Sequence, residues 1–398
     1  MLVAVNNKNQ YFNASNEEKN KDKKHNYYCP NCKEPVFLKK GLIKQAHFTH
    51  FQKSECNVFS EGETEEHISG KNLLYQWFIK QKIPCQLEAY LPNLKQRPDL
   101  LVWLDEQSPI AIEFQCSALP AQRMIERTIG YNENGYKVYW ILGQNYHFKN
   151  KLTSFQKLFV NEHKEIGCYF LELQVDRKIL TVHHHINQEG NSVHINAESC
   201  HFELDESSTK LKTINKQLLG YSRSTQYESK KQLVQSHYFL NRGRNYQVPE
   251  IVTFQKYIYK KGDSLISLPL EVYLPVKNQL FVKSLSYFWK YLFLEWIMEK
   301  NNGEIISKKE VSKKLALLIE NNDLIFHVMP LISIESKKKC IEHFMAILTQ
   351  RGILSVISNS DWIIQKEPQR YKNEKEKMTD FIALDHSLIV ESYVKSTK

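Results

Sequence analysis

The sequence is poor in everything that would mark a membrane, secreted or fibrous protein. No apolar run reaches membrane length, and the densest stretch, Leu285 to Met298, is short and broken by Lys290 and Glu295. Met1 to Gln10 shows no apolar signal core and no small-residue cleavage site, so no signal peptide and a cytoplasmic location are expected. No fixed-period repeat and no long low-complexity tract occur, which argues against solenoids and propellers. Cysteine is sparse, 8 in 398 residues, and without an export signal the thiols are expected reduced, with clustered ones kept for metal. Acidic residues are the minority, 44 Asp+Glu against 54 Lys+Arg, and the resulting +10 suits a polyanionic partner.

Length and composition imply two or three domains with real cores, since 42% of the chain is hydrophobic and 12% aromatic. Composition divides it into an N-terminal segment 1–60, an informative α/β segment 61–185, a polar connecting region 186–264, and a mostly helical segment 265–398.

Residues 25–60 concentrate thiols and imidazoles. Cys29-Pro-Asn-Cys32 sets two thiolates on a knuckle turn, and His47, His50 and Cys56 follow. A structural Zn²⁺ takes four N/S ligands in a closed tetrahedron, so these five candidates suffice with one to spare. Cys29 and Cys32 are the firmest, and His47 with either His50 or Cys56 would complete the shell. On an extended strand His47 and His50 face opposite ways, which makes one of them a bystander. Such a zinc-knuckle-like segment is scaffolding and gives no activity itself.

Residues 63–142 read as helix, strand, strand, strand, helix, strand. Ile68, Leu73, Leu74, Trp77 and Phe78 mark the buried face of the first helix. Asp99 to Leu104 and Ile110 to Cys116 form a hairpin across turn residues 105–109. A hairpin centred on Gln107 sets Asp99 opposite Gln115 and Leu101 opposite Glu113, so that Asp99, Glu113 and Gln115 share one face. Two carboxylates on neighbouring strands can share a hard cation such as Mg²⁺ or Mn²⁺, which polarises a phosphodiester and activates water. Glu113 sits in the otherwise apolar run Ile110-Ala-Ile-Glu-Phe-Gln-Cys116, where an acid is costly unless paired or metal-bound. The first helix adds Glu63, Glu66, His67 and Lys71, of which Glu63, His67 and Lys71 share a face.

These residues resemble two known patterns. Arg97-Pro98-Asp99, thirteen residues, then Glu113-Phe114-Gln115 is similar to the PD-(D/E)XK nuclease signature, and the αβββαβ order matches that restriction-endonuclease-like core. The knuckle segment, Glu63-Thr-Glu-Glu-His67, the Asp99 and Glu113 pair, Glu113-Phe-Gln-Cys-Ser117 and Arg127-Thr-Ile-Gly-Tyr131 with Tyr139-Trp140 together resemble the competence protein CoiA family over about residues 1–148. The resemblance implies a cytoplasmic protein of natural transformation that acts on incoming DNA, single-stranded or in recombination intermediates, with a recombinase as an implied partner. It makes Asp99 and Glu113 metal ligands, Glu63 the helix acid with Glu66 as its alternate, and Gln115 the occupant of the signature's lysine position. Gln orients water but carries no charge. A cation from Lys71, Lys95 or Arg97 must then serve, or the core clasps DNA without cutting it. A restriction-type defence nuclease is a third reading. Lys71, Arg97, Arg123 and Arg127 are the candidate phosphate contacts. His183-His184-His185 reads as a polar strand end, since strand alternation lets at most two of the rings share a face.

In the C-terminal segment, Ser284 to Met298 is a buried aromatic helix, Ser307 and Glu310 form a capping box for a helix from Lys308 to Glu320, and Lys337 to Gln350 is a third helix. A hairpin around residues 359–361 follows. The order is winged-helix-like, which would bring Lys337-Lys-Lys339 toward phosphates, and a helical protein-interaction domain is the alternative.

Overall fold

The computed structural model describes residues 1–17, 27–41, 46–51, 56, 64–104, 109–188, 195–205, 211, 214, 217–218, 229–358 and 361–383. The chain divides into two units. One comprises Met1–Ile186, Ala197–Ser222 and Val328–Leu331, and the other Asn187–Asn196, Arg223–His327 and Ile332–Lys398.

The first unit opens with five short strands, β1 (Val3–Val5), β2 (Tyr11–Asn13), β3 (Tyr27–Tyr28), β4 (Pro35–Lys39) and β5 (His47–His50). They form an antiparallel sheet in the order β2-β1-β3-β4-β5. The apolar run Leu2 to Val5 is fully buried and gives this sheet its core strand.

Helix α1 (Glu65–Lys80) follows. Thr64 Oγ1 accepts from His67 N at 3.2 Å, and Glu65 and Glu66 occupy the first turn, where the helix dipole favours acids. Its inner face, Ile68, Leu74, Trp77 and Phe78, packs on the second sheet. Gly70 makes close contact possible, because a Cβ there would stand 2.1 Å from the Phe114 ring.

Next come β6 (Cys85–Leu87), β7 (Leu100–Trp103), β8 (Pro109–Gln115), α2 (Ala121–Glu133) and β9 (Lys137–Leu142), the helix and strand order expected from the sequence. A short helix α3 (Ser154–Lys157) leads to β10 (Asn161–His163), β11 (Gly167–Gln174), β12 (Ile179–Gln188) and β13 (Ile195–Glu203). The sheet runs β13-β12-β11-β9-β8-β7-β6, with β10 beside β11. β6, β7 and β8 are antiparallel, whereas β8, β9 and β11 are parallel. From Ile110 onward every residue of β8 is buried, as suits a central strand covered on both faces.

Two expectations need correction. The β7–β8 register pairs Leu100 with Ile112 and Leu101 with Ala111, so the hairpin centres one residue earlier than residue composition suggested. Extended by one pair, it sets Asp99 across from Glu113 rather than Gln115. The segment 186–264 is also not a connecting region: β13 belongs to the sheet, and residues 229–260 form packed helices. Its polar residues misled, because edge strands and surface helices need only one apolar face.

The second unit holds α4 (Ser229–Asn245), α5 (Pro249–Lys260), α6 (Ser286–Met298), β14 (Ile305–Ser307), α7 (Lys308–Glu320), α8 (Ile334–Gln350), β15 (Leu354–Ser358), β16 (Asp361–Ile364) and α9 (Glu374–Ala383). The order helix, strand, helix, helix, hairpin is the one read from the sequence, and the strands align as β14-β16-β15. The capping box at Ser307 and Glu310 is formed in both directions. Trp289, Tyr291 and Phe293 of α6 are buried at the centre of the core. No helix among the described residues is long and apolar enough to cross a membrane.

Candidate active site and metal centre

Asp99 lies just before β7, and its side chain crosses to β8. Oδ2 accepts from Phe114 N at 2.8 Å and lies 3.0 Å from His67 Nε2, while Oδ1 is 3.8 Å from Lys71 Nζ. Burial would raise this carboxyl, but the His67 and Lys71 charges, the His67 hydrogen bond and the Phe114 amide together hold it well below the usual carboxylate range.

Glu113, 2% exposed, is held from α2. Arg127 pairs with its Oε1, which also accepts from the Tyr131 hydroxyl. Burial pushes Glu113 up to about 7, with Arg127 opposing the rise and the Asp99 charge adding to it. Asp99 thus faces His67 and Lys71 of α1, Glu113 faces Arg127 of α2, and the Asp99 charge reaches Glu113. Gln115 is buried, and its amide nitrogen donates to Ser117 O at 3.0 Å. Glu63 lies outside the described residues. Its alternate Glu66 accepts from Gln144 N at 2.8 Å, beyond the end of β9.

Three of the residues read as phosphate contacts pair with carboxylates of their own unit. Lys71 is fully buried and bonds Glu88 Oε1 at 2.6 Å. Arg97 bonds Glu88 Oε2 at 3.0 Å, and Arg127 bonds Glu113. A cation drawn out of water needs a partner, and buried Lys71 and half-buried Arg97 and Arg127 each have a carboxylate. Arg123 is exposed, 3.7 Å from Glu126.

Glu88 is the residue that sequence reasoning missed. It is completely buried and also accepts from Leu2 N at 2.9 Å and Val3 N at 3.3 Å, which ties β1 to the α1–β7 region. Its signal was an acid within Leu87-Glu-Ala89, the same apolar context that singled out Glu113.

At the N-terminus, Cys29, Cys32, His50 and Cys56 bring one ligand atom each to within 4.8 Å of one another. Cys32 Sγ lies 3.3 Å from His50 Nε2. The knuckle is closed by Cys29 N to Glu34 O and Lys33 N to Cys29 O, with Lys33 in the left-handed region. His47 is therefore the bystander, and both His50 and Cys56 join the cysteine pair. A tetrahedral zinc with Zn–S of about 2.3 Å and Zn–N of about 2.0 Å needs ligand atoms about 3.5–3.8 Å apart, so the donor set and its spacing fit that ion.

Three family profiles match the chain. "Competence protein CoiA, nuclease-like domain" covers residues 63–219, and the CoiA N-terminal and C-terminal domains cover 11–59 and 225–378. An α/β domain of nuclease-like class thus lies between an N-terminal module and a C-terminal one. The chain belongs to the competence protein CoiA family. It is similar to "Competence protein CoiA" of Bacillus subtilis (strain 168), with 25% identity over 387 residues, 94% of this chain and 98% of that protein. No solved structure matches it significantly.

Proposed function

We propose that this chain is a cytoplasmic competence protein that acts on DNA taken up in natural transformation, and that its nuclease-like domain is a restriction-endonuclease-like core hydrolysing phosphodiester bonds with Mg²⁺ or Mn²⁺. The observation that carries this reading is the bond from Phe114 N to Asp99, which seats one carboxylate on the strand that bears the other, Glu113. The donors are hard oxygens, as such ions require. When bound, the ion would polarise the scissile phosphate and lower the pKa of a water.

The chain's own residues divide the remaining work. His67 and Lys71 keep Asp99 ionised as a standing ligand. Glu113, pushed up to about 7 by burial, would have to lose its proton to hold the cation near neutrality. The positive charge that Gln115 lacks stands on α1 as Lys71, 3.8 Å from Asp99. Gln115 keeps a carbonyl oxygen to accept from water while Ser117 holds its amide nitrogen. Glu63 or Glu66 supports the shell, and Arg123 offers an exposed phosphate contact. Cys29, Cys32, His50 and Cys56 would hold a structural Zn²⁺. Substrates are single-stranded DNA or recombination intermediates, with a recombinase as partner.

One observation favours a second reading, DNA clasping without cleavage: Glu113 already has Arg127 and Tyr131 as partners. Purified chain offered single-stranded, duplex and branched DNA with Mg²⁺ or Mn²⁺ separates the two. Cleavage abolished by Asp99→Ala and by Glu113→Ala supports hydrolysis. Binding without turnover, unchanged in Glu113→Gln, supports the clasp.

A further inference from the structure

The three consecutive histidines of β12 do not alternate as a regular strand requires. His183 is taken up by a buried polar network, with Nε2 3.1 Å from Glu172 Oε2 and Nδ1 2.8 Å from Ser199 Oγ. His185 has φ +49, in the left-handed region. Its N–H donates to Ile166 O at 2.9 Å, which fixes the kink. A left-handed non-glycine residue stores strain and marks a place where side-chain placement is being enforced. The consequence here is that neighbouring rings meet: His184 Nδ1 and His185 Nδ1 are 2.8 Å apart.

A carboxylate from β13 completes the group. Glu198 Oε2 is 3.8 Å from His185 Nδ1, and one ligand atom from each of His184, His185 and Glu198 falls within 4.8 Å of the other two. The remaining nitrogen of His184, Nε2, lies 3.3 Å from Cys200 Sγ, so the ring is oriented from behind with Nδ1 turned to the cluster. Both imidazoles are buried, while Glu198 is 32% exposed, which leaves an approach from solvent on the carboxylate side.

We propose that His184, His185 and Glu198 form a second metal site, which takes a divalent transition-metal ion of the zinc class through two imidazole nitrogens and one carboxylate, with a water in the remaining position. Two imidazoles and one carboxylate suit zinc-like ions over Mg²⁺. Two nitrogens on a tetrahedral zinc stand about 3.3 Å apart at Zn–N of about 2.0 Å, so entry of the ion in place of a proton opens the present pair by about half an ångström. The site joins β12 to β13. It shares no residue with the cysteine cluster or with Asp99 and Glu113.

The test uses full-length chain carrying Cys29→Ser and Cys32→Ser, in excess Mg²⁺ so that oxygen-only sites are filled. Zn²⁺ is counted per chain after dialysis, and Co²⁺ is followed by absorption. The expected result is one ion per chain, with Co²⁺ ligand-field bands and no thiolate charge-transfer band. Glu198→Gln and His185→Gly weaken binding at least ~10-fold, and the glycine keeps the left-handed backbone, so circular dichroism stays unchanged. Failure of the double cysteine variant to hold Zn²⁺, or retention in His185→Gly and Glu198→Gln alike, overturns the proposal. A thiolate band in that variant assigns the ion to other cysteines and overturns it too.

Discussion

Glu88 offers the sharpest test of how the first unit is held together. Its carboxylate is fully buried and satisfies Lys71, Arg97 and the amides of Leu2 and Val3 at once. Glu88→Gln leaves Lys71 buried at 0% exposure with Asp99 as a more distant carboxylate, at 3.8 Å. Removing one partner of a buried pair costs about 3–5 kcal/mol, most of it the uncompensated charge that remains. Because two of the lost bonds come from the Leu2 and Val3 amides, the effect is local as well as global. Amide exchange of residues 2–5, followed by mass spectrometry, should accelerate by roughly two to four orders of magnitude, at about 1.4 kcal/mol per tenfold. Lys71→Met combined with Glu88→Gln removes the stranded cation and should recover a large part of the loss in a double-mutant cycle. Exchange in Glu88→Gln within about threefold of the parent chain would refute the argument, because a carboxylate that can be neutralised so cheaply is not holding β1.

Further outcomes follow from the same structure. Glu113 titrates at about 7 when folded against 4.5 in an unfolded chain, so the folded state binds the extra proton and stability falls as pH rises from about 4.5 to about 7. Asp99 acts oppositely, its contribution being present above about 3.8 and lost as pH drops below that. Urea midpoints measured across pH should therefore decline over the upper window in the parent chain and flatten there in Glu113→Gln. Gly70→Ala forces a methyl to within 2.1 Å of the Phe114 ring, and such overpacking costs about 1–3 kcal/mol in thermal unfolding while displacing α1 from β8. Ser307→Ala removes the cap of α7 and should cost about 1 kcal/mol by the same assay. Cys56→Ser should lower zinc content by one ion per chain, whereas His47→Ala should leave it unchanged, as measured by elemental analysis.

Periodicity and punctuation carried much of the fold. The α1–β6–β7–β8–α2–β9 order and the C-terminal order emerge from apolar spacing, turn residues and the Ser307 capping box, all of them local signals. Register was not local. The turn composition in the sequence suits either centre, and only the pairing of Leu100 with Ile112 chose between them. Because the side-chain period of a strand is two, a two-residue change in partner leaves Asp99 and Glu113 on one face under either register. Charged residues were the least legible. Lys71, Arg97 and Arg127 look in sequence like any surface cation, and their pairing depends on Glu88 and Glu113 reaching them from elsewhere in the chain. The meeting of His184 with His185 was illegible for a related reason, since strand alternation assumes regular backbone and His185 is left-handed. At the knuckle, spacing gave the cysteine pair, but choosing His50 over His47 required knowing which face of β5 turns toward Cys32.

The proposed hydrolysis requires Asp99 and Glu113 to serve one divalent ion. Mn²⁺ binding to the full-length chain, followed by electron paramagnetic resonance beside DNA cleavage in the same samples, tests it most directly. Bound Mn²⁺, read as loss of the free-ion signal, and cleavage should vanish together in Asp99→Ala and in Glu113→Ala, and both should strengthen as pH rises through about 7 and Glu113 loses its proton. Cleavage that persists in both variants, or Mn²⁺ that stays bound without either carboxylate, would contradict it.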